Sequence, residues 1–213
     1  MTFSTVLFDL DGTLTDSAPG ITNAVSHALT ALGHEPLPID ELRSFIGPPL
    51  QESFAALGLD PDVALTAYRE YFTDRGIYEN QVYDGIIPVL GALRARNVEL
   101  GVATSKPTVY ARRILDHFAL TPYFSCVSGA ELDGTRCHKH EVIADAVERL
   151  TLTDLSQAVM VGDRAHDVVG AARVGLNCVA VSWGYASDGE LAAAGAPAVV
   201  STPADLLTWL TRG

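Results

Sequence analysis

"TVLFDLDGTLTDS", residues 5–17, drives an apolar run directly into three carboxylates. Asp9 and Asp11 are two residues apart, so on an extended strand they share one face while Leu10 takes the other. Two close carboxylates raise each other's pKa, and burying them costs free energy unless a cation or a proton intervenes. The stretch predicts a buried first strand whose end needs a neutralising partner.

Composition limits what that partner can be. The chain has 213 residues, 48% hydrophobic and 19% charged, enough for one large domain or two modest ones around a proper core. A net charge of −12 argues against nucleic acid or anionic membrane as a partner, since both require a basic surface. No apolar run approaches the roughly 20 residues of a membrane span. No basic stretch precedes an apolar segment near the N-terminus, so a secretory leader is not expected. Three cysteines (Cys126, Cys137, Cys178) are too few and odd in number for a disulfide framework, and a cytoplasmic location is expected. An anionic substrate would need strong local positive charge. The fourteen basic residues include only two lysines, Lys106 and Lys139, which suggests that both are kept as compact point charges.

From Ser17 to about residue 80 the pattern is helical, with Ser17 as N-cap and Gly33 as C-cap of the first helix. Gly and Pro then punctuate two short helices and a longer one, "DPDVALTAYREYFTDRG", with no convincing strand. After "VYDGIIP", strands and helices alternate. "VELGVAT" (98–104), "FSCVSG", "AVMVGD" (158–163), "NCVAVSWG" and "AVVS" read as strands, and Pro107 is placed in the first turn of the helix "KPTVYARRILDHF". Apolar strands alternating with helices predict an α/β fold with a Rossmann-like parallel sheet covered on both faces. The early helices read as an insertion, giving a core of residues 1–16 and 84–213 and a helical segment of 17–83.

Ligands of open α/β sheets bind beyond the carboxyl ends of the strands. Those ends carry Asp9 and Asp11, Thr104 and Ser105, and Gly162-Asp163. Carboxylates without thiolate or imidazole partners suit a hard cation, Mg²⁺ before others. Thr104 and Ser105 are placed at a helix N-terminus, which favours an anion such as phosphate. Metal, anion cradle and a spare carboxylate together make the apparatus of phosphoryl transfer.

"DLDGTLTDS", "VATSKP", the lysine of "KHEVI" and "VGDRAHD" resemble the four ordered motifs of the haloacid dehalogenase superfamily, over essentially the whole chain. The helical insertion resembles that family's small α-helical cap. "FIGPPL", "ELDGTR" and "WGYAS" resemble segments of its phosphoglycolate phosphatase-like members and of relatives described as 5′-nucleotidases. The resemblance implies a phosphatase with Asp9 as nucleophile and Asp11 as general acid and base. It implies Mg²⁺ held by Asp9, Asp163 and the backbone carbonyl of Asp11, and phosphate oxygens bound by Thr104 and Ser105. Lys139 would neutralise the nucleophile and the phosphoryl group, and Asp167 would support the metal or orient Lys139. Asp11 points to phosphate esters, because the dehalogenase and phosphonate-cleaving branches lack that aspartate. The partner implied is a small phosphorylated metabolite, bound by a monomer or weak homodimer.

Other readings of the same residues are weaker. A strand end followed by Gly-Thr does not fit a calcium loop. A phosphoacceptor domain of the response-regulator kind would be shorter and carry its aspartate later. "CHKH" (137–140) lacks four-ligand zinc spacing, and no second Cys/His cluster appears. Thr104-Ser105 alone would read as a helix cap. Lys106 reads as a solvated residue near the mouth, and Asp16 and Ser17 as hinge and N-cap. Hinges are expected at 16–19 and 84–88. In "RSFIGPPL", Gly47 would present backbone to substrate and Arg43 a second cation, against a reading of Arg43 as surface charge. A phosphomutase of the β-phosphoglucomutase type and a non-catalytic metabolite sensor are the alternatives.

Overall fold

The apolar run ahead of the acids forms β1 (Thr5–Phe8), and a two-residue strand β2 (Thr15–Asp16) follows the acidic turn. Then comes the helical insertion: α1 (Ala18–Ala31), α2 (Ile39–Arg43), α3 (Leu50–Ala56) and α4 (Pro61–Asp74). The chain returns through β3 (Gln81–Val82), α5 (Ile86–Arg94), β4 (Glu99–Pro107), α6 (Thr108–His117), β5 (Cys126–Ala130) and α7 (Lys139–Arg149). It ends with β6 (Ala158–Gly162), α8 (Ala165–Val174), β7 (Asn177–Val181), α9 (Glu190–Ala193), β8 (Ala198–Val200) and α10 (Pro203–Leu210). This computed structural model describes residues 3–212.

Six strands form one parallel sheet in the order β5-β4-β1-β6-β7-β8. Its strands are apolar on both faces because both faces are covered. Val6, Phe8, Leu100, Val102, Val159 and Val161 join one core cluster, which also receives the buried faces of α5, α6 and α10. The alternating Leu7, Ala103 and Met160 join a second cluster with Val142, Ile143 and Val168 of α7 and α8.

The insertion holds itself together by helical periodicity. Ile21, Ala24, Val25, Ala28 and Leu29 make the buried stripe of α1, and Ala64, Leu65, Tyr68 and Phe72 that of α4. The two stripes pack against each other. Asp60 starts α4 by accepting from the backbone N–H groups of Asp62 (3.0 Å) and Val63 (3.2 Å).

Four local features add to or depart from the sequence expectations. Thr15–Asp16 pairs antiparallel with Gln81–Val82, a two-residue ladder too short to leave a periodic signal, where the insertion leaves and rejoins the sheet. Helix α5 occupies the expected second hinge: Gly85 precedes it at φ +89°, and Pro88 lies in its first turn, where a missing N–H costs nothing. β4 runs through Pro107, so Thr104 and Ser105 lie on strand rather than at a helix start, and Pro107 precedes α6. Ser17 precedes α1, but its side chain makes no cap bond. Among the described residues, no helix is long and apolar enough to cross a membrane.

Candidate active site

β1 lies between β4 and β6, with Phe8 in register with Val102 and Val161. The residues just past these strands are thereby brought side by side. Asp9 continues the ladder, its N–H donating to the Val161 carbonyl at 2.9 Å. The chain then turns at Gly12, whose φ of +84° is left-handed and whose added Cβ would sit 2.2 Å from Asp163 Oδ2.

The two opening acids have different partners. Asp9 Oδ1 accepts from Lys139 Nζ at 2.8 Å and from the Leu10 N–H at 2.7 Å. Asp11 Oδ2 instead meets Lys106 Nζ at 2.9 Å. Each carboxylate has its own ammonium group, so their mutual repulsion is not the dominant effect. Burial pushes the Asp9 carboxyl up to about 6, against the pull of Lys139, and Asp11 is the weakest of the contributors.

Lys139 opens α7 and is held from two sides, by Asp9 and by Asp167 Oδ1 at 2.9 Å. Burial disfavours its charge, yet Asp167 and Asp9 outweigh burial and hold its pKa raised. Asp167 lies one turn along from Asp163, and its Oδ2 accepts from the Arg164 N–H at 3.0 Å. Asp163 is buried; Thr13 Oγ1 donates to its Oδ1 (3.2 Å) and the Tyr185 N–H to its Oδ2 (2.8 Å). Burial first, then Asp167 and Asp9, push the Asp163 carboxyl well above its ordinary range.

The donor set fits a hard divalent cation. Asp9, Asp163 and Asp167 each place a carboxylate oxygen within 4.8 Å of the others, all three buried. With Asp11, four carboxylates face two ammonium groups, which leaves an excess matched by one divalent ion. The cradle admits no bulk: an added Cβ at Gly184 would lie 2.3 Å from Asp163 Oδ2, and one at Gly162 would lie 2.1 Å from Asp167 Cγ.

Against known proteins, the family model for haloacid dehalogenase-like hydrolases matches residues 6–181. The chain belongs to this family. It is 46% identical over 195 residues to a 5′-nucleotidase of Pseudomonas aeruginosa, covering 90% of this chain and 88% of that one. It is 34% identical over 194 residues to a phosphoglycolate phosphatase of Caulobacter vibrioides, covering 87% and 81%. A tyrosine-protein kinase of Mycobacterium tuberculosis, PtkA, is 47% identical over 183 residues, which span 84% of this chain but 62% of that protein. A crystal structure from Clostridium acetobutylicum, described as a predicted phosphatase, superposes with a TM-score of 0.94 at 42% identity over 99% of both chains.

Within this haloacid dehalogenase-like hydrolase, a cleft of about 790 Å³, its open mouth included, lies between the strand ends and the insertion. Asp9, Asp11, Thr104, Ser105 and Gly47 border it as the sequence reading expected. Lys106 takes Asp11 Oδ2 and leaves Oδ1 without a hydrogen-bond partner among the described residues.

Two expectations fail. Arg43 does not border the cleft; its side chain is 59% exposed and lies 4.0 Å from Asp40 on the one-turn helix α2, whose buried residue is Leu42. Lys106 is not solvated: its side chain is 5% exposed and its Nζ sits 4.7 Å from the Phe72 ring centroid of α4. The rarity of lysine was its signal.

Three further residues escaped the sequence reading. Thr13 braces Asp163. Tyr185 joins Asp163 through its N–H and Asp16 through its hydroxyl (2.7 Å), tying the acid site to the start of the insertion. Arg164 donates to the Ile46 carbonyl of the insertion and, at 2.8 Å, to Glu190 Oε1. All three stood inside quoted stretches, Thr13 in "DLDGTLTDS", Arg164 in "VGDRAHD" and Tyr185 in "WGYAS", but the partners that give Thr13, Arg164 and Tyr185 their roles come from distant segments.

Proposed function

We propose that the protein is a Mg²⁺-dependent phosphatase that hydrolyses a small phosphomonoester through an aspartyl-phosphate on Asp9. The observation that carries this reading is Asp9 itself, buried at the cleft floor with Lys139 on Oδ1 and two further acids within reach. Both hydrogen bonds to Asp9 fall on Oδ1, leaving Oδ2 for phosphorus.

Asp9 attacks phosphorus as the bond to the leaving oxygen breaks, and protonated Asp11 gives that oxygen its proton. Asp11, now a carboxylate, takes a proton from water. The water oxygen bonds to phosphorus, inorganic phosphate departs, and the Asp9 carboxylate is restored. Asp11 Oδ1 is buried without a hydrogen-bond partner among the described residues, which leaves it free for both transfers. Held by Asp9, Asp163 and the Asp11 carbonyl, Mg²⁺ would supply positive charge to the phosphoryl oxygens. Lys139 adds charge from the side, and Thr104 and Ser105 orient phosphate at the end of β4. The insertion, residues 17–83, serves as the cap that excludes water from the leaving-group side.

The cleft wall favours one substrate class. Ile21, Phe45, Leu50, Leu65, Tyr68 and Phe72 face the acids from the insertion. That surface suits a leaving group with an aromatic body, such as a nucleoside, better than the small carboxylate of phosphoglycolate. Arg43 lies outside the cleft, and the two cations that border it are engaged, Lys106 with Asp11 and Arg69 with the Leu132 carbonyl. Phosphate release from nucleoside monophosphates, phosphoglycolate, pyrophosphate and hexose phosphates, with and without Mg²⁺, tests the reading, with Asp9→Asn as the blank. Metal-dependent release highest for nucleoside monophosphates is expected. Full activity in Asp9→Asn would refute the mechanism, and a preference for phosphoglycolate would refute the substrate class.

A further inference from the structure

Outside the acid site, a second cluster of different chemistry lies where the insertion meets α7. Cys137, His138 and Glu141 each offer a ligand atom, and these atoms lie within 4.8 Å of one another. Glu52, from α3 of the insertion, brings Oε1 to 3.8 Å from His138 Nδ1. We propose that Cys137, His138, Glu141 and Glu52 form a zinc site that bridges the insertion and the catalytic core.

The donor set separates this site from the first one. Thiolate and imidazole select Zn²⁺ over Mg²⁺, whereas the buried all-carboxylate cluster suits the harder ion. Tetrahedral zinc with bonds of about 2.0–2.3 Å sets neighbouring donors about 3.5 Å apart. Cys137, His138 and Glu141 already lie within 4.8 Å of one another, and His138 and Glu52 are half exposed, with room to close on an ion. Glu141 uses Oε2 to accept from the His138 N–H at 3.0 Å, which fixes its carboxylate beside the cluster. A groove bordered by Glu52, Asp62, Asp133 and Cys137 leads to it from solvent, an acidic approach for a cation. Its one bordering cation, Arg69, is turned to the Leu132 carbonyl at 2.9 Å.

Sequence spacing could not reveal this arrangement, because Glu52 arrives from a distant segment. The consequence is mechanical. Lys139 follows His138 directly, so an ion here fastens the insertion to the helix that carries the active-site lysine. Zinc would hold the cleft closed and slow turnover even when Mg²⁺ is saturating.

Cobalt(II) is the probe, because a thiolate ligand gives it a sulfur-to-metal charge-transfer band in the near ultraviolet. The full chain, loaded with Mg²⁺, is expected to take up one Co²⁺ with that band, and Zn²⁺ to remove it. Cys126 and Cys178 are buried in the core, so Cys137→Ser should abolish the band while circular dichroism stays unchanged. Glu52→Gln should weaken uptake at least about tenfold and relieve zinc inhibition. A band absent from the parent protein, or one surviving in Cys137→Ser, overturns the site. Uptake untouched by Glu52→Gln overturns the bridge.

Discussion

Lys106 Nζ stands 2.9 Å from Asp11 Oδ2 and 4.7 Å from the Phe72 ring centroid, joining the general acid–base candidate to the helical insertion in one contact. The ammonium group is nearly dry, and the aromatic face supplies part of the stabilisation that water would otherwise give. Asp11 is therefore held by a lysine that α4 covers.

Lys106→Met removes this orientation and leaves a buried carboxylate unpaired. The variant should lose about a hundredfold in kcat, the low end of what general acid–base catalysis supplies. It should also lose about 3–5 kcal/mol of stability, the usual cost of breaking a buried pair from one side. Chemical denaturation and steady-state kinetics measure the two. The double variant Lys106→Met/Asp11→Asn should regain stability but not activity.

Gly184→Ala tests the metal cradle without touching a charged group. The new Cβ would lie 2.3 Å from Asp163 Oδ2, so the carboxylate must shift. Mg²⁺ affinity, read by calorimetry or by activation of turnover, should weaken about 10–100-fold.

Arg43→Ala and Arg164→Ala separate surface charge from a contact that holds the insertion. Arg43 is exposed, and its loss should change stability by no more than about 0.5 kcal/mol and leave KM unchanged. Arg164 spans from the insertion's Ile46 carbonyl to Glu190 of the core, so its loss should raise KM several-fold. A larger kinetic effect at Arg43 would reverse the assignment.

Burial holds the Asp9 carboxyl at about 6, above its ordinary value of 3.8. A raised acid contributes stability below its unfolded pKa and loses that contribution as pH rises through its folded one. For Asp9 alone, the metal-free protein gains from protonation below pH 3.8 and has lost that gain above about pH 6. Mg²⁺ needs the ionised form, so the rise in Tm on adding Mg²⁺ should grow as pH increases through about 6. Differential scanning fluorimetry across pH measures it; an increment that falls with pH would contradict the assignment.

The acids Asp9, Asp11, Asp163 and Asp167 were readable because each follows a strand or opens a helix within a short local pattern. Parallel strands of one apolar run each made the sheet readable for the same reason. Lys106 was not, because its burial depends on β4 continuing to Pro107 and on Phe72 arriving from another segment. Arg43 misled because a single turn of helix gives no periodicity from which to choose a face. The strands β2 and β3 and the helix α5 were hidden by brevity and by a proline that marks a helix start as readily as a break.

In the proposed reaction the phosphoryl group passes through Asp9. The direct measurement is acid-quenched mass spectrometry of protein mixed with Mg²⁺ and a turned-over nucleoside monophosphate, followed by proteolysis. One phosphoryl group is expected on the peptide that contains Asp9, and none in Asp9→Asn. Phosphate release with that peptide unmodified throughout the first turnover, or with the phosphoryl group on another residue, would contradict this route.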